Sequence, residues 1–362
     1  MKLRKYQCVC LVLFICAENA WTSCLIDQAH LLENFIYLNS NNGVFDIQRS
    51  DIVANDKTVY LLCRSGLHPT SFHCGRDNDF HPPLSTARCS SPRASVVPMP
   101  DTSCLRLYSS YAVGFYYNGH FMELFRDCID RDRMSVQHSI YKVHRYINSA
   151  PRPSSTYFNR DGFMSPQLAA AYKRKVSEDC LTNILGGPQQ NCVFDRGHVT
   201  PNAGFIFSEL RRSTDRYINV FPQNSAVNIG NWKNVEAWVG KLVTGHYDSP
   251  HRTYDLLKVC TGVLGQQQLE HTTSNSLVDI YLAGNQIPVA KWSYKIVGHL
   301  SGDKWVMLTH NQVARPTLPE INQVCINVKC PDGLKEDGVG HTVCCEPYDF
   351  IQRNVAHLTG VC

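Results

Sequence analysis

The chain has 362 residues, enough for two or three domains at about 100–200 residues each. Its composition, 43% hydrophobic and 18% charged, is that of a globular protein and excludes a disordered or fibrous chain. The formal net charge is +4 with no block of like charge, so no basic tail indicates nucleic acid.

The N-terminus has the pattern of a secretory signal peptide. Basic residues precede an apolar run at 8–16, and the small residue Ala20 follows that run. The run is too short to span a bilayer, which takes about 20 apolar residues. The alternative is a buried N-terminal helix. We predict that residues 1–20 are a signal peptide, that the protein is secreted and extracellular, and that it has no membrane partner.

The cysteine count fits an oxidising compartment. Three of the 17 cysteines leave with the signal peptide, so 14 remain, an even number that allows up to seven disulfides. The adjacent Cys344 and Cys345 are predicted to have separate partners, with Cys325 and Cys330 as the nearest candidates. The rest of the connectivity stays open.

Residues 21–104 are predicted to form a small Cys-rich, mainly-β domain. Short β-type runs such as 58–63 alternate with turn-rich stretches. The unit contains five cysteines, so at least one bridge leaves it or one cysteine stays free. The Pro-rich stretch 90–103 predicts a linker.

A zinc site is the alternative interpretation of part of this unit. It would use Cys63, His68, His73 and Cys74. Their spacing matches no common zinc pattern, and an oxidising compartment favours disulfides. We therefore expect disulfides here.

Residues 105–362 are predicted to form a second domain of the α+β class with an antiparallel sheet, because its strands and helices do not alternate strictly. The strand-like runs are 113–117, 136–147, 256–264, 292–297 and 305–308. One helix is predicted from an N-cap at Ser165, with Pro166 at its first position, to Gly186. Another is predicted over 228–243.

One group of polar residues carries the chemistry. It comprises Asp195-Arg196-Gly197-His198, then Asn219 before Pro222-Gln223, then Asn228-Ile229-Gly230-Asn231-Trp232, then Glu236. His198 follows a glycine and precedes a Thr-Pro break, which predicts a strand end or a loop. A histidine can act as a general base near neutral pH, and an arginine suits phosphate.

The predicted helix over 228–243 places two polar residues beside its buried face. On a helical wheel that face is formed by Trp232, Val235, Val239 and Leu242. Asn228 and Glu236 flank it, about 12 Å apart along the axis. This spacing allows Asn228 to bind a metal ion and Glu236 to hold a metal-bound water, since Mg²⁺ keeps most of its waters. The alternative is an Asn N-cap and a solvated Glu.

These residues resemble the DNA/RNA non-specific endonuclease family, which has a ββα-metal (His-Me finger) core. The resemblance is specific because the separated elements occur in order within residues 195–236. It extends to the strand around 287–292. The strand at 114–117 and the Cys-rich tail are similar to the secreted arthropod branch, which includes crustacean duplex-specific nuclease and insect double-strand RNases.

The resemblance implies a role for each site residue. His198 matches the general base, Asn228 the direct ligand of Mg²⁺, and Glu236 the acid that orients a metal-bound water. Arg196 and Asn219 match residues that support the phosphate and the site. Arg152 matches an arginine that stabilises the transition state, although its loop is longer than the family spacing.

The expected protein is thus a secreted, Mg²⁺-dependent endonuclease, with Mn²⁺ as a substitute, that leaves 5′-phosphate ends. Its expected substrates are DNA and RNA, with a duplex preference. Alternatives from other classes are a nucleic-acid-binding pseudoenzyme and a disulfide-scaffold interaction protein. The candidates for tracking the nucleic-acid backbone are Lys173, Arg174, Lys175, Arg211, Arg212 and Arg216, for which solvated surface charge is the alternative.

Overall fold

A computed structural model describes residues 23–64, 70–152, 157–187, 193–244, 253–336 and 338–362. The side chains at 174–177 and 180 lie outside this description, and so does the predicted signal peptide. Across the described ranges, no helix is both long and apolar enough to cross a membrane.

The N-terminal unit is mainly β. Its elements are β1 (Ser23–Leu25), α1 (Gln28–Leu32), β2 (Tyr37–Asn41), β3 (Val44–Ile47), β4 (Ile52–Ala54), β5 (Thr58–Leu61), β6 (Ser71–Cys74) and β7 (Phe80–His81). Five of these strands form an antiparallel sheet of order β3-β2-β5-β6-β7, and β1 pairs with β4. The predicted mainly-β character of this unit is confirmed.

The zinc interpretation of this unit is wrong. Cys63 is bonded to Cys89, and Cys74 is bonded to Cys24. His73 contacts the Thr58 hydroxyl, with 3.3 Å between Nδ1 and Oγ1. His68 lies outside the described residues. A cysteine in a disulfide has no thiolate to offer a metal, so Cys63 and Cys74 are not available as zinc ligands.

The remaining strands are β8 (Ser95–Pro98), β9 (Ser109–Tyr117), β10 (His120–Asp130), β11 (Ser135–His144), β12 (Phe194–His198), β13 (Val220–Asn224), β14 (Leu256–Gln266), β15 (Gln268–Glu270), β16 (Leu277–Asp279), β17 (Tyr281–Ala283), β18 (Gln286–Pro288), β19 (Ala290–Gly298), β20 (Lys304–His310), β21 (Asn327–Val328) and β22 (Thr342–Cys345). The helices of this part are α2 (Pro166–Ala170), α3 (Arg174–Leu185), α4 (Ser208–Arg212), α5 (Ser225–Val227), α6 (Lys233–Lys241), α7 (Leu318–Val324) and α8 (Pro347–Asn354).

A nine-stranded antiparallel sheet organises this part of the molecule. Its order is β21-β22-β20-β19-β14-β11-β10-β9-β8. Each of the five predicted strand runs falls largely within one of its strands, and the α+β class with a central antiparallel sheet is confirmed. The linker prediction is wrong at 95–98, because β8 pairs with β9 at the edge of the sheet.

Apolar side chains cover both faces of this sheet. One face of β19 carries Trp292, Tyr294 and Ile296, which pack against α8. The opposite face carries Val297 in the larger core, which also contains Val235 and Val239 of α6. Successive residues of a strand point to opposite faces, so Lys295 lies on the side of α6.

Both predicted helices are interrupted. The first begins as predicted, because the Ser165 side chain accepts from the Leu168 amide, but it divides into α2 and α3. It ends at Gly186, which has a φ of 73°. The second is kinked at Gly230, where φ is −93° and ψ is −123° within a π-helical turn at 228–232.

Disulfides join the parts of the chain. Two of them pair Cys325 with Cys345 and Cys330 with Cys344, which confirms the predicted partners of the adjacent cysteines. Cys104, the odd cysteine of the N-terminal unit, pairs with Cys128 outside that unit, which is the first of the two outcomes that the cysteine count allowed. Within the second part, a further bridge pairs Cys260 with Cys362. The Cys180 side chain and Cys192 lie outside the described residues.

The N-terminal unit packs directly on the rest of the chain. Asp51 is completely buried and accepts from the backbone amides of Ile147 (3.0 Å) and Asn148 (2.7 Å). The rings of Tyr37 and Phe207 have their centroids 5.4 Å apart. One continuous hydrophobic core includes residues of both parts. The boundary at 104/105 stays a prediction.

Candidate active site

The hairpin of β12 and β13 holds the predicted general base. His198 is the last residue of β12 and pairs with Val220. Gly197 lies against the Gln223 side chain, and a Cβ at this position would lie 2.4 Å from the Gln223 Oε1 atom. A glycine is therefore required before His198 because the hairpin has no room for a larger residue.

Asn219 fastens the backbone on both sides of this hairpin. It is completely buried, and its Nδ2 donates to the carbonyls of Thr200 and Thr214, each at 2.9 Å. Its Oδ1 accepts from the Thr200 amide at 2.8 Å. All three hydrogen bonds are to backbone groups. Asn219 therefore supports the site from the protein interior and does not reach the surface where a phosphate would lie.

The imidazole of His198 has an acidic partner. Its Nε2 lies 3.0 Å from Oδ1 of Asp215, and the two side chains are only 11% and 8% exposed. The ring of Phe158 packs on the imidazole, with 5.3 Å between centroids. The Arg196 guanidinium lies 4.1 Å from the centroid of the same ring. Phe158 thus contacts both His198 and Arg196.

A cleft of about 870 Å³ opens beside these residues. Its lining includes Arg152, Arg196, Asn228 and Lys173, together with aromatic rings of which Tyr157 is 71% exposed. The cleft therefore offers positive charge and ring surface, both of which suit nucleic acid.

Asn228 begins the π-helical turn after α5. Its Nδ2 donates to Oδ2 of Asp195 at 3.3 Å, which ties β12 to this turn. Gly230 allows close contact with the C-terminal loop, because a Cβ there would lie 2.3 Å from the Val339 carbonyl oxygen. Asn231 fixes the same loop, accepting from the Gly338 amide at 2.7 Å. Gly230 and Asn231 of the Asn-x-Gly-Asn-Trp pattern thus have a structural role, which is to hold the loop around Gly338 and Val339 against this turn.

The kink at Gly230 lies between Asn228 and Glu236, so the two residues do not share one straight helix. The predicted buried stripe is confirmed, since Trp232, Val235, Val239 and Leu242 are all buried. The prediction of one continuous helix from Asn228 to Glu236 is wrong, because the backbone is not helical at Gly230.

Glu236 lies beside a buried lysine. Burial raises the pKa of its carboxyl, and the positive charges of Lys295, His198 and Arg152 oppose that rise. Lys295 is completely buried, and its Nζ donates to the Thr261 Oγ1 (2.7 Å) and the Tyr141 hydroxyl (3.0 Å). Burial lowers the pKa of Lys295 to about 8, and the charge of Glu236 acts in the opposite direction.

The predicted site residues thus divide into three groups. Arg152, Arg196 and Asn228 line the cleft, while His198 and Glu236 lie close enough to interact through their charges. Asn219 alone stays inside the scaffold.

Three further residues were missed by the sequence analysis: Asp215, Phe158 and Lys295. The sequence contained a signal for Lys295, because this lysine lies within an apolar strand run. A lysine is almost never buried without a partner, so its position indicated a partner nearby.

Three of the six candidates for backbone tracking bind other protein groups instead. Arg211 is buried and donates to the Ala150 carbonyl, and the buried Arg216 forms an ion pair with Asp161. Arg212 contacts Glu209 and Asn34. Lys173 is exposed at the cleft, whereas the side chains of Arg174 and Lys175 lie outside the described residues.

Comparison with known proteins identifies the family. A model of the DNA/RNA non-specific endonuclease family matches residues 109–350, which is more than half of the chain. The chain belongs to the DNA/RNA non-specific endonuclease family, as the resemblance implied.

Two similar proteins are salivary proteins. The chain is 25% identical over 261 residues to the salivary endonuclease of Lutzomyia longipalpis, covering 67% of this chain and 60% of that protein. It is 24% identical over 284 residues to the salivary protein Tsal2A of Glossina morsitans morsitans, covering 75% and 70%. Among solved structures, this chain is similar to a chain of the EndoG/EndoGI complex. The TM-score is 0.38 and the identity is 20%, and the match covers 53% of this chain and 73% of that one.

Proposed function

We propose that the protein is a secreted, disulfide-bonded, Mg²⁺-dependent endonuclease that hydrolyses phosphodiester bonds of DNA and RNA, prefers duplexes and leaves 5′-phosphate ends. The observation that carries the proposal is the placement of His198 beside a cleft lined by Arg152, Arg196 and Asn228. The six disulfides among the described residues support secretion.

His198 would take a proton from the attacking water, and the resulting hydroxide would attack phosphorus in line with the 3′-oxygen. Arg196 packs on the Phe158 ring and lines the cleft, so its guanidinium is placed to meet a phosphate oxygen. Arg152 is exposed at the same cleft and would neutralise charge that develops on the phosphate.

The donor atoms in the cleft suit a hard cation. Asn228 donates its amide hydrogen to Asp195, so its Oδ1 is available as an oxygen ligand. No group of three His, Cys, Asp or Glu side chains among the described residues could hold a metal, but Mg²⁺ keeps several waters and needs few protein ligands. Asn228 would hold the ion directly and Glu236 through water. When bound, it would supply Lewis-acid stabilisation of the phosphate charge.

The cleft supports backbone recognition over base recognition. The side chains proposed to contact substrate address phosphate, water or metal, and none is placed to read a base edge. The proposed duplex preference is supported by the cations that line the cleft, Arg152, Arg160, Lys173 and Arg196. Because phosphate contacts release counterions, binding is expected to weaken steeply as salt is added.

The substrate panel is the direct test of this function. Length-matched single strands and duplexes of DNA, RNA and the hybrid are incubated with the full mature protein in Mg²⁺ or EDTA, and the end groups are analysed. We expect DNA and RNA to be cut in Mg²⁺ alone, because the nucleophile comes from water and not from the ribose 2′-hydroxyl.

Two results of this panel would contradict the proposal. Cleavage of RNA alone, with 2′,3′-cyclic phosphate ends, would show that the sugar supplies the nucleophile. Binding without any turnover would favour the pseudoenzyme alternative.

The buried Lys295 predicts an unusual dependence of stability on pH. Because its pKa is lowered from 10.5 to about 8, the unfolded chain binds a proton between these values that the folded chain does not. The free energy of unfolding should therefore rise as the pH increases from 8 towards 10.5, by an amount on the order of 3 kcal/mol. Urea denaturation of wild type and Lys295→Met across this range measures the difference.

Lys295→Met should lack this rise, whereas Lys291→Met should retain it. Lys291 lies on the same strand but pairs with Glu320 at 2.7 Å. Lys295→Met should also need a higher pH for activity than wild type, because loss of this nearby cation lets the pKa of Glu236 rise further. An identical stability profile in Lys295→Met and wild type would show that the lysine does not titrate in this window.

A further inference from the structure

The contact between His198 and Asp215 defines which nitrogen of the imidazole is the base. An ionised carboxylate can only accept a hydrogen bond, so the hydrogen lies on Nε2, which is 3.0 Å from Oδ1 of Asp215. Nδ1 then has its lone pair free. Among the described residues, no protein group forms a hydrogen bond with Nδ1. We infer that Asp215 is the positioning residue of His198, holding it as the Nε2–H tautomer with Nδ1 directed to the attacking water.

Asp215 is itself held from several directions. Its carbonyl accepts from the Asn159 amide at 2.9 Å, and its own amide donates to the Arg212 carbonyl at 3.2 Å. The preceding residue, Thr214, is fixed through its carbonyl by Asn219. These hydrogen bonds fix the backbone from which the Asp215 carboxylate reaches His198.

The next residue connects this arrangement to the N-terminal part of the chain. The buried guanidinium of Arg216 forms an ion pair with Asp161 and donates to the Ser213 carbonyl at 3.0 Å. It also donates to the Ala94 carbonyl at 2.8 Å, just before β8. The segment that leads into β8 thus helps to hold the loop that carries Asp215, although it lies outside the region matched by the family model.

This inference rests on the proposed function and adds a step to it. The attacking water gives its proton to Nδ1 of His198, and the hydroxide forms its bond to phosphorus while the bond to the 3′-oxygen breaks. The 3′-oxygen leaves with the electron pair of that bond and takes a proton from solvent water. The Nε2 hydrogen stays on the imidazolium, and the Asp215 carboxylate stabilises that cation without accepting its proton. Asp215 acts only through His198 and touches no substrate.

The main variant is Asp215→Asn, which keeps the shape but removes the charge and allows the wrong tautomer. We expect kcat to fall by about 10²–10⁴-fold, with KM within about threefold of wild type, because ground-state binding is unchanged. Glu209→Gln is the matched control. It removes a carboxylate six residues away that pairs with Arg212, and its activity should stay near that of wild type.

A spectroscopic readout separates positioning from a merely structural role. Nitrogen-15 NMR of histidine-labelled wild-type protein, with His198→Gln to assign the signal, should show neutral His198 with its hydrogen on Nε2. In Asp215→Asn the Nδ1–H form should gain population. This measurement does not depend on turnover, so it also decides the matter if Asp215→Asn fails to fold.

Two outcomes would overturn the inference. One is a wild-type His198 that carries its hydrogen on Nδ1, and the other is Asp215→Asn with kcat within threefold of wild type while His198→Ala is inactive. In the second case the proposed function survives and only the role of Asp215 fails. If His198→Ala itself retains activity, the proposed function fails, whereas the NMR result still reports on the contact.

Discussion

His198→Ala is expected to lose at least about 10²–10⁴-fold in kcat, the range typical for loss of a general base. Folding should be retained, because the imidazole is at the end of β12 and its removal leaves the pairing of β12 with β13 intact. Single-turnover cleavage of a labelled DNA duplex, beside circular dichroism, measures both properties.

His299→Ala is the matched control for this prediction. His299 also pairs with an aspartate, with 2.9 Å between its Nε2 and Oδ1 of Asp255, but it does not line the cleft. Its replacement should leave cleavage unchanged. Activity of His198→Ala within threefold of wild type would assign the base to another residue.

Asn228→Ala is expected to raise the Mg²⁺ concentration needed for half-maximal activity. Loss of an outer partner of a metal site commonly costs about 10–100-fold in affinity, and loss of a direct ligand should cost at least as much. High Mg²⁺ should restore part of the activity, because water and substrate phosphate supply the other ligands. A Mg²⁺ titration of initial rates gives the shift.

Asn234→Ala tests whether a change in α6, which follows the turn that carries Asn228, is enough to produce this effect. Asn234 donates to Asn231 at 3.3 Å and does not line the cleft. Its Mg²⁺ requirement should match that of wild type. If Asn228→Ala kept the wild-type Mg²⁺ requirement, the ion would have to bind elsewhere.

Local patterns explain which parts of the site could be predicted. His198 follows a glycine and precedes a Thr-Pro break, and the structure places it at a strand end. The buried stripe of α6 follows from the spacing of its apolar residues. The pairing of Cys344 and Cys345 with two nearby cysteines is equally a local matter.

The missed features depend on long-range contacts. Asp215 is 17 residues from His198, and no periodicity links the two positions. The kink at Gly230 depends on the approach of the Val339 carbonyl, which lies more than a hundred positions away. The residues around Ser95–Pro98 are typical of turns, yet this segment forms a strand because it pairs with the edge of β9. Tertiary partners decide these cases, and a single sequence does not reveal them.

The edge strand β8 has a consequence for recombinant expression of the nuclease part alone. A shortened protein beginning at residue 105 would lack β8 and Cys104, so β9 would become an open sheet edge and Cys128 would lose its disulfide partner. An open edge can pair with other chains, and an unpaired thiol can form intermolecular disulfides. Such a protein should aggregate and refold poorly, however complete its catalytic residues are.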